Sequence, residues 1–414
     1  MGKAIIIGAG IVGLSSAYYL QQSGWEVTVL EKGDLSDNCS FGNAGMLVPS
    51  HFVPLAAPGM IEKGIKWMFD SKSPFYVRPS LNMDLVGWGL KFMKSANKEK
   101  AERAAVPLRD ISLLSKDLYA DLTKEIGDFG LTNNGILMLY KSDKVGEEEL
   151  HIAEQARNLG LDVASLSAAE AQALQPDLKL DVLGGIHYRC DAHLNPNQLL
   201  ALLQKYLLAK GVKIIKNTEV TKIIHEKGQI TSLLAGGKQY SANHYVLAGG
   251  SWSPEIAKRA GFKIPLMPGK GYSFLVDDTA KNMHIAALLC EAKVSVTPMG
   301  GKIRFGGTME IDAVNDRINI NRVKGIVESI PKYFPDMHPA LPETKDIWYG
   351  FRPCSPDGLP YLGNSKSLQN LTVATGHGMM GISLGPATGK LVSELINGQS
   401  PSMDINPFSA NRYA

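Results

Sequence analysis

The period of the hydrophobic pattern changes several times along this chain of 414 residues. At the start, apolar runs at 3–7 and 27–30 enclose a stretch with helical spacing at 11–23, which predicts a strand, a helix and a second strand. Between 272 and 310 the apolar runs are short, and this pattern predicts an antiparallel sheet. The chain therefore combines a βαβ start with a more antiparallel region further on.

Most of the remaining elements are also visible as periodic apolar positions. An amphipathic helix is expected over about 108–122, with Pro107 in its first turn. The other predicted helices are 147–159, 168–174, 197–209, 322–333 and 381–397, and the other predicted strands are 135–140, 212–215, 219–225, 230–235, 245–248 and 371–374.

The turn after the first strand has the spacing of a dinucleotide site. Gly8 permits a tight turn, Gly10 lets the backbone approach a pyrophosphate, and Gly13 lets helix and strand pack closely. The pyrophosphate would lie on the free N–H groups at the start of the helix. Glu31, which closes the second strand, would accept hydrogen bonds from the ribose hydroxyls and repel a 2′-phosphate. FAD or NAD therefore fits this site, and NADP does not.

Composition and charge exclude several other classes. The formal net charge is +3 with both signs scattered, so nucleic acid is not expected as a partner. Cys39, Cys190, Cys290 and Cys354 are far apart, so neither a metal site nor a disulfide framework is expected, and a reducing, cytoplasmic compartment is favoured. We expect no signal peptide, because the first residues already form a strand, and no apolar run reaches the about 18 residues of a spanning helix.

A second glycine turn lies near the other end of the chain, at 375–381, between a predicted strand and a long helix. Glycines bring backbone N–H groups close to a ligand, and the helix start adds partial positive charge. An NAD enzyme rarely needs two such elements, whereas a flavin becomes anionic along one edge on reduction and is stabilised by a nearby helix N-terminus. The two turns together favour FAD over NAD.

Six motifs in order along the chain resemble those of the D-amino acid oxidase family of FAD-dependent amine and amino-acid oxidoreductases, and most of all its bacterial D-amino acid dehydrogenases of the small-subunit type. These motifs are 7–13, 40–45, 57–59 with 65–69, 270–273, 350–353 with 355–358, and 375–378, and the ending 411–413 also matches. The loop at 40–45 departs from the dehydrogenase pattern at Gly42, as does Met46 just after it.

The resemblance implies an α/β (α+β) fold in two domains built from separate segments. A Rossmann-like FAD-binding domain of the p-hydroxybenzoate-hydroxylase and glutathione-reductase-2 type is expected over 1–48, 186–268 and 345–414. A substrate domain with an antiparallel sheet that covers the flavin is expected over 49–185 and 269–344.

The activity implied by the resemblance is oxidative deamination of D-amino acids to 2-oxo acids and ammonia, by hydride transfer from Cα to flavin N5. A quinone or oxygen would accept the electrons. Two alternatives stay open: an enzyme that oxidises D-proline, hydroxy-D-proline, glycine or sarcosine, and a flavin-binding subunit of a larger amine-oxidising complex. Noncovalent FAD is expected, because Gly350 stands where some sarcosine-oxidising relatives carry a flavin-linking cysteine.

Three residues are candidates for the substrate side. The arginine of the Gly-hydrophobic-Arg-Pro motif, Arg352, would bind the carboxylate of the amino acid through its planar pair of donors. Tyr272 would donate a hydrogen bond to the substrate, with a place in the core as the alternative, and His51 would line the pocket. His377 lies between two glycines at a helix start, so a role in contacting or orienting the flavin is expected rather than a role as a base.

The motifs and the resemblance also give the candidate cofactor contacts. These are Gly8, Gly10, Ile11, Val12, Gly13, Glu31, Lys32, Ser40, Asn43, Ala44, Gly45, Met46, Val220, Ala248, Gly249, Trp252, Gly350, Arg352, Gly376, His377, Gly378, Met379, Met380 and Gly381.

One stretch raises the question of membrane contact. Between 61 and 94, aromatic and aliphatic residues alternate with lysines: Ile61, Ile65, Trp67, Met68, Phe69, Phe75, Tyr76, Leu85, Trp88, Leu90, Phe92 and Met93 with Lys63, Lys66, Lys72, Lys91 and Lys94. An amphipathic surface of this kind could lie on the inner face of the cell membrane and reach a quinone. The alternative is that these side chains pack against the substrate domain.

Overall fold

The computed structural model describes residues 2–59, 62, 72–78, 82–277 and 283–413. Its strands are β1 (Lys3–Ile7), β2 (Glu26–Leu30), β3 (Met46–Leu47), β4 (Phe75–Val77), β5 (Ile136–Tyr140), β6 (Val163–Ser167), β7 (Gly184–Tyr188), β8 (Ala192–His193), β9 (Lys213–Ile215), β10 (Val220–Glu226), β11 (Gln229–Ala235), β12 (Lys238–Tyr240), β13 (His244–Leu247), β14 (Met267–Asp277), β15 (Ala286–Leu289), β16 (Val294–Pro298), β17 (Lys302–Ile311), β18 (Trp348–Cys354), β19 (Tyr361–Asn364) and β20 (Leu371–Thr375). Its α-helices are α1 (Ile11–Gln22), α2 (Met83–Ser95), α3 (Lys98–Ile126), α4 (Asp143–Asn158), α5 (Ala168–Leu174), α6 (Pro196–Ala209), α7 (Ser253–Arg259), α8 (Ile320–Tyr333) and α9 (Gly381–Ile396).

The N-terminal strand lies inside a six-stranded sheet with the order β19-β20-β13-β1-β2-β9, called the parallel sheet below. Only the edge pair β19 and β20 is antiparallel. The strands are short and rich in β-branched residues, as expected for a sheet covered on both faces. Helix α9 packs on α1, where a Cβ at Gly389 would overlap with the backbone of Ser15. The predicted βαβ start is confirmed.

The second large sheet, called the mixed sheet, has the order β18-β14-β17-β16-β15-β5-β7-β6, and β4 pairs with β17. All of its pairs are antiparallel except β5 with β15 and β4 with β17. Two of the long strands, β14 and β17, carry both apolar and glycine residues and are buried along most of their length. The antiparallel sheet predicted from residue 272 onward is therefore confirmed, and it starts five residues earlier, at Met267.

One helix differs clearly from its prediction. The helix expected from Pro107 begins nine residues earlier, at Lys98, where the side chain of Asn97 accepts a hydrogen bond from the N–H of Lys100. Pro107 is therefore inside the helix and not in its first turn, so the hydrogen bond from position 107 to the carbonyl of Arg103 cannot form. The preceding stretch is rich in alanine, lysine and glutamate, and it extends the helix because these residues favour helical backbone even without an apolar stripe.

The predicted domain limits fall close to strands of the mixed sheet. The limits at 186 and 269 lie inside β7 and β14, and β18, which follows the limit at 345, also belongs to the mixed sheet. The division into domains stays a prediction, since two sheets do not by themselves define two folding units.

The amphipathic stretch is described only in part. Ile61, Ile65, Trp67, Met68 and Phe69, together with Lys63 and Lys66, lie outside the described residues. In α2, Leu85, Trp88 and Phe92 face a small apolar cluster, whereas Met83, Val86, Leu90 and Met93 are exposed. None of the helices in the described ranges is long and apolar enough to cross a membrane.

Candidate active site

A cavity of about 1320 Å³ lies where the carboxyl ends of β1 and β13 meet the mixed sheet. The first glycine turn, the loop at 37–46, the turn at 248–252 and the second glycine turn line one side of it. Residues of β14, β17 and β18 line the other side. Its volume exceeds the roughly 300–1,000 Å³ of an ordinary small-molecule pocket, so there is room for a large ligand and a small one together.

The first glycine turn has the shape that a dinucleotide needs. Gly8 has a φ of 106°, and a Cβ there would overlap with the carbonyl oxygen of Ala248. The carbonyl of Gly8 itself lies against Gly13, so a side chain at 13 would push strand and helix apart. At Gly10, by contrast, a Cβ would meet only Ser40 Oγ, at 3.6 Å, and the cavity stays open beside it. The backbone of this turn can therefore be approached closely by a pyrophosphate.

The acidic residue at the end of β2 holds this turn in place. One Glu31 oxygen accepts a hydrogen bond from the N–H of Ala9 at 2.7 Å, and the other accepts from the N–H of Gly33 at 2.9 Å. Both oxygens keep a free lone pair, and Glu31 lines the cavity. The carboxylate can therefore position the turn and accept a ribose hydroxyl at the same time.

Side chains beyond the motif complete this end of the cavity. The Nζ of Lys32 lies 3.3 Å from the ring centroid of Trp252, and burial lowers the pKa of this lysine. Val220, Ala248 and Gly249 line the cavity nearby. This is the partly apolar setting that suits an aromatic base next to its ribose.

Hydrogen bonds hold the loop after β2 against the mixed sheet. Arg304 donates to the carbonyls of Phe41 at 2.8 Å and Asn43 at 2.7 Å, and Ser273 Oγ donates to the carbonyl of Gly42 at 2.8 Å. The Oγ of Ser40 accepts from the N–H of Ile11 at 3.3 Å, which places a polar group at the start of α1. Loop residues Asn43, Ala44 and Met46 then line the cavity between the two sheets.

The departure from the family pattern at Gly42 has a structural explanation. A Cβ at this position would overlap with the indole ring of Trp348, whose Nε1 donates to Asp37 at 2.8 Å. The ring of Trp348 thus fills the space that a side chain at 42 would need. The glycine and the tryptophan form a matched pair that holds loop and sheet together.

The second glycine turn lies next to the start of α1, on the same side of the cavity as the first turn. Gly378, Met379, Met380 and Gly381 line it, and α9 starts at Gly381. The Nε2 of His377 is hydrogen-bonded to Thr388 Oγ1 at 2.9 Å, and burial lowers the pKa of this histidine to about 4. His377 is therefore a neutral side chain that fastens the turn to the helix, and it lines the cavity without an exposed base.

Three of the predicted cofactor contacts, Gly13, Gly45 and Gly376, are not among the residues that line the cavity. A Cβ at Gly13 would overlap with the carbonyl of Gly8. Gly45 has a φ of 73° and a Cβ there would overlap with the carbonyl of Leu194, and Gly376 has a φ of 79° and a Cβ there would overlap with the ring of Tyr361. Each is a glycine because a side chain would clash or strain the backbone there. These three glycines therefore shape the turns, while their neighbours line the cavity.

Arg352 lies on β18, in the part of the mixed sheet that lines the cavity. Its Nη1 donates to the carbonyl of Thr308, and burial lowers the pKa of the guanidinium. In the described part of the chain it forms no ion pair. The opposite case is Arg412, which is paired with Asp357 at 2.7 Å. A guanidinium without an acid in a cavity wall is a binding group for an anion from outside.

The guanidinium of Arg352 lies in the space that a side chain at Gly271 would otherwise fill. Gly269 pairs with Arg352 and Gly271 pairs with Gly350, so all four residues share one face of the sheet. A Cβ at Gly271 would overlap with both terminal nitrogens of Arg352. The arginine therefore lies flat across the neighbouring strand, with its direction fixed by the glycine and by the carbonyl of Thr308.

Tyr272 is among the residues that line the cavity, but its hydroxyl is used within the protein. It lies between Gly271 and Ser273, so its side chain is on the opposite face of the sheet from Arg352. Its hydroxyl donates to Glu310 at 2.9 Å and accepts from the N–H of Asn319 at 3.1 Å, and the side chain is 1% exposed. The phenol belongs to the core of the mixed sheet, as in the alternative considered for it, and this placement does not support a hydrogen bond to substrate.

His51 does line the cavity. Its Nδ1 is 3.1 Å from the Oγ of Ser50, while burial and the charge of Lys293 lower the pKa of the ring to about 4. In the described ranges Nε2 has no hydrogen-bond partner. The imidazole is therefore neutral at physiological pH, with one nitrogen available to a ligand in the cavity.

Sequence reasoning missed the residues that orient Arg352 and the loop: Gly271, Thr308, Arg304 and Trp348. Nothing in the sequence marked Thr308 as part of the site. In the structure it has a left-handed φ of 63°, which is unusual for a β-branched residue. Gly271 is part of the motif at 270–273, but only the register of β14 and β18 shows that a glycine is needed there to make room for Arg352.

The residues on the cavity wall fit FAD. The glycines remove side chains where a pyrophosphate would approach, the Glu31 carboxylate has free lone pairs for ribose hydroxyls, and the N-termini of two neighbouring helices, α1 and α9, border the cavity.

Comparison with known proteins agrees with this geometry. The family model DAO, described as FAD dependent oxidoreductase, matches residues 3–395. A D-amino acid dehydrogenase of Helicobacter pylori is 30% identical over 414 residues, which cover 99% of this chain and 98% of the relative. One of Xanthobacter autotrophicus is 31% identical over 426 residues, with coverage of 100% and 99%.

Two solved structures show the same fold. Glycine oxidase from Geobacillus kaustophilus superposes with a TM-score of 0.81 at 23% identity over 100% of both chains. L-proline dehydrogenase from P. horikoshii superposes with a TM-score of 0.77 at 20% identity, covering 100% of this chain and 97% of its own. The predicted fold class and cofactor are confirmed, and this chain belongs to the DAO family of FAD-dependent oxidoreductases.

Proposed function

We propose that this protein catalyses the FAD-dependent oxidative deamination of D-amino acids to 2-oxo acids and ammonia. The observation that carries the proposal is the guanidinium of Arg352, which faces the cofactor cavity without an acidic partner in the described ranges. The D-configuration is supported by full-length relatives of about 30% identity that are named D-amino acid dehydrogenase.

The cofactor would be held by both sides of the cavity. Glu31 and the turn around Gly10 would bind the adenosine and pyrophosphate, and Gly350 and the N-terminus of α9 would lie along the flavin. FAD would be bound noncovalently, because the cysteines that line the cavity, Cys39 and Cys290, have pKa values raised by burial and are thiols. Bound FAD supplies the acceptor for the hydride that leaves the substrate Cα.

The chain itself positions the substrate. Arg352 would bind the carboxylate with two parallel hydrogen bonds, which fixes the direction of the Cα–H bond. The glycine-rich face of β14 and β18 lets the substrate lie close to the sheet. Mixed polar and apolar residues from α4 and β15 line the far end of the cavity and would receive the substrate side chain: Val145, Glu149, Ile152 and Leu288.

The test is anaerobic bleaching of the flavin in the purified FAD-loaded protein. A panel of D-amino acids, their L-enantiomers, D-proline, hydroxyprolines, glycine and sarcosine is mixed with the protein, and the loss of flavin absorbance is followed. We expect D-amino acids to bleach the flavin and L-amino acids not to. Bleaching by proline derivatives or glycine alone would favour the corresponding oxidase or dehydrogenase. No bleaching by any amine would favour a flavin-binding subunit.

We further propose that the electrons pass to a quinone at a membrane surface, with oxygen as the alternative acceptor. The support is α2, where the exposed side chains of Met83, Val86, Leu90 and Met93 recur at helical spacing beside Lys91 and Lys94. Exposed apolar side chains in a row on one helix are typical of a surface that contacts a partner or a membrane.

Flotation with anionic and with neutral vesicles tests this location. We expect co-flotation with anionic vesicles and loss of flotation in Leu90→Ser/Met93→Ser, which changes only exposed side chains. Faster re-oxidation of the reduced flavin by oxygen than by a quinone analogue would contradict the proposed acceptor.

A further inference from the structure

Three polar side chains are linked behind the wall of the cavity. Ser50 Oγ lies 2.6 Å from Asp191 Oδ2 and 3.1 Å from His51 Nδ1, and the N–H of Ser50 donates to Asp191 Oδ1 at 3.0 Å. Asp191 is fully buried and does not line the cavity, whereas Ser50 and His51 do. The three residues form a continuous path from the cavity to a buried carboxyl group.

The fold brings these residues together across a large sequence distance. Strand β3 pairs with β8, with Met46 opposite His193 and Leu47 opposite Ala192. In this register Asp191 falls opposite Val48, and its side chain reaches two residues further, to the N–H and Oγ of Ser50. Neither residue stood out in the sequence, because the motif around 40–46 ends before Ser50 and position 191 has no motif of its own.

The protonation of Asp191 is set by its surroundings. Burial raises the pKa of its carboxyl to about 7, while the hydrogen bonds from Ser50 act in the opposite direction. The groups around it are Cys190, whose Sγ lies 3.5 Å from Oδ1, Lys116, whose Nζ donates to the carbonyl of Cys190, and the phenol of Tyr188. None of these neighbours forms an ion pair with Asp191 in the described residues.

The groups around His51 leave its ring neutral. Together with burial, the positive charge of Lys293 helps to lower the pKa of His51. The Nζ of this lysine lies 3.9 Å from a carboxylate oxygen of Glu149. His151 and Glu148 also line this part of the cavity. With Asp191 ionised, Ser50 donates its proton to the carboxylate, so Ser50 Oγ accepts from His51 Nδ1–H. Nε2 is then an unprotonated acceptor that a ligand in the cavity can reach.

We propose that His51, Ser50 and Asp191 form a proton relay that accepts the proton of the substrate ammonium group before the hydride leaves. The inference rests on the proposed function, since it needs a substrate with an ammonium group next to Arg352. An ammonium group has no lone pair to push the hydride out, so it must lose a proton first. His51 is the group that touches substrate, and Ser50 and Asp191 act through it.

The proton balance of the step is complete within the relay. The substrate N–H bond breaks, its electron pair stays on nitrogen, and the proton binds Nε2 of His51. The Nδ1 proton passes to Ser50 Oγ, and the Ser50 proton passes to Asp191 Oδ2. The substrate changes from an ammonium to an amine, and Asp191 changes from a carboxylate to a neutral acid. His51 stays neutral throughout, which avoids a buried imidazolium, and the reverse path to water resets the relay.

The test is the pH dependence of flavin reduction in Asp191→Asn, measured by anaerobic stopped flow with saturating and subsaturating D-amino acid. Wild type should lose kcat/KM as the pH falls through about 7, because Asp191 becomes protonated. The variant has no carboxylate to accept the proton and can use only the free amine. We expect kcat/KM about 100-fold below wild type at pH 7.5, rising steadily with pH until the two profiles meet at alkaline pH.

Ser50→Ala is the second variant, because it breaks the relay and leaves the buried carboxyl in place. It should show the same alkaline recovery, and the double variant Ser50→Ala/Asp191→Asn should be no slower than either single variant, since the residues act as a unit. The matched control is Asp34→Asn. Asp34 accepts from the N–H of Ser36 at 2.8 Å and from its Oγ at 2.6 Å, the same pair of contacts, but on the exposed surface. Its profile should match wild type.

Two results would overturn the relay. A variant profile parallel to wild type at all pH values would mean that Asp191 only supports the loop. Additive losses in the double variant would mean that the residues act separately. If no amino acid reduces the wild-type flavin, the proposed function fails and the relay with it, whereas reduction with unchanged profiles removes the relay alone.

Discussion

The two walls of the cavity recognise ligands in different ways. The nucleotide wall is built around backbone groups and one carboxylate within the first thirty-three residues: the turn at Gly8–Gly10, the start of α1, and Glu31 bound to Ala9 and Gly33. Residues of the turn at 248–252 complete it. The substrate wall is made by one arginine whose position depends on three strands far apart in sequence, through Gly271 and Thr308. The main part of the first wall is therefore local in sequence, whereas the second exists only when the strand register of the mixed sheet is correct.

The largest expected effect is a rise in KM on removal of the arginine from the substrate wall. Arg352→Ala removes the only group here argued to bind the carboxylate, so KM for D-amino acids should rise about 100-fold, or about 3 kcal/mol, while the Kd for FAD stays within about twofold. Steady-state kinetics and a flavin fluorescence titration measure the two quantities. Arg352→Lys keeps the charge without the bidentate geometry and should fall between wild type and alanine.

A matched arginine sharpens this prediction. Arg412 is only 14% exposed and is paired with Asp357, with Nε to Oδ2 at 2.7 Å and Nη2 to Oδ1 at 2.8 Å. Arg412→Ala should lower the free energy of unfolding by about 3 kcal/mol, because it leaves a mostly buried carboxylate without its ion pair, and should leave KM unchanged. If the two arginine variants changed KM equally, the distinction between a binding and a structural guanidinium would be wrong.

A smaller effect is expected from the glycine beneath the guanidinium. In Gly271→Ala the added methyl group overlaps with Nη1 and Nη2 of Arg352, so the arginine must move away from its bond to Thr308. We expect kcat/KM to fall about tenfold, or about 1.4 kcal/mol, with FAD affinity unchanged. The control is Gly87→Ala in α2, where nothing lies within 4 Å and alanine favours the helix. An unchanged kcat/KM in Gly271→Ala would show that the register does not set the arginine.

An effect of the same size is expected on the nucleotide wall, where it acts on the cofactor and not on the substrate. Glu31→Gln keeps the shape but leaves one of the two N–H groups of Ala9 and Gly33 facing an amide NH2, so the Kd for FAD should rise about tenfold and KM should stay constant. Glu26→Gln at the start of the same strand is the control, because the Glu26 carboxylate forms its ion pairs with Lys3 and Lys213 on the surface, away from the cavity. A change in KM without a change in FAD affinity would contradict the separation of the two walls.

How far the sequence could predict the site depended on how local each feature was. The helix boundaries at 168–174 and the start of α9 at Gly381 were found because caps and glycine turns are local signals. The helix start predicted from Pro107 was wrong, because a proline that fits a first turn can also lie inside a longer helix when the residues before it favour helix. Tyr272 misled for a different reason, since one residue of shift along a strand reverses the face on which a side chain lies.

By itself the sequence determined the family, the cofactor class and the nucleotide wall, because a βαβ turn with its glycines and its acid is contained in about thirty consecutive residues. Only the tertiary structure decided how Arg352 is held in the cavity wall, why Gly42 faces Trp348, and that Asp191 lies behind Ser50 and His51. Each of these depends on contacts between residues more than forty positions apart. Such contacts are fixed by strand register and burial, which no local pattern encodes.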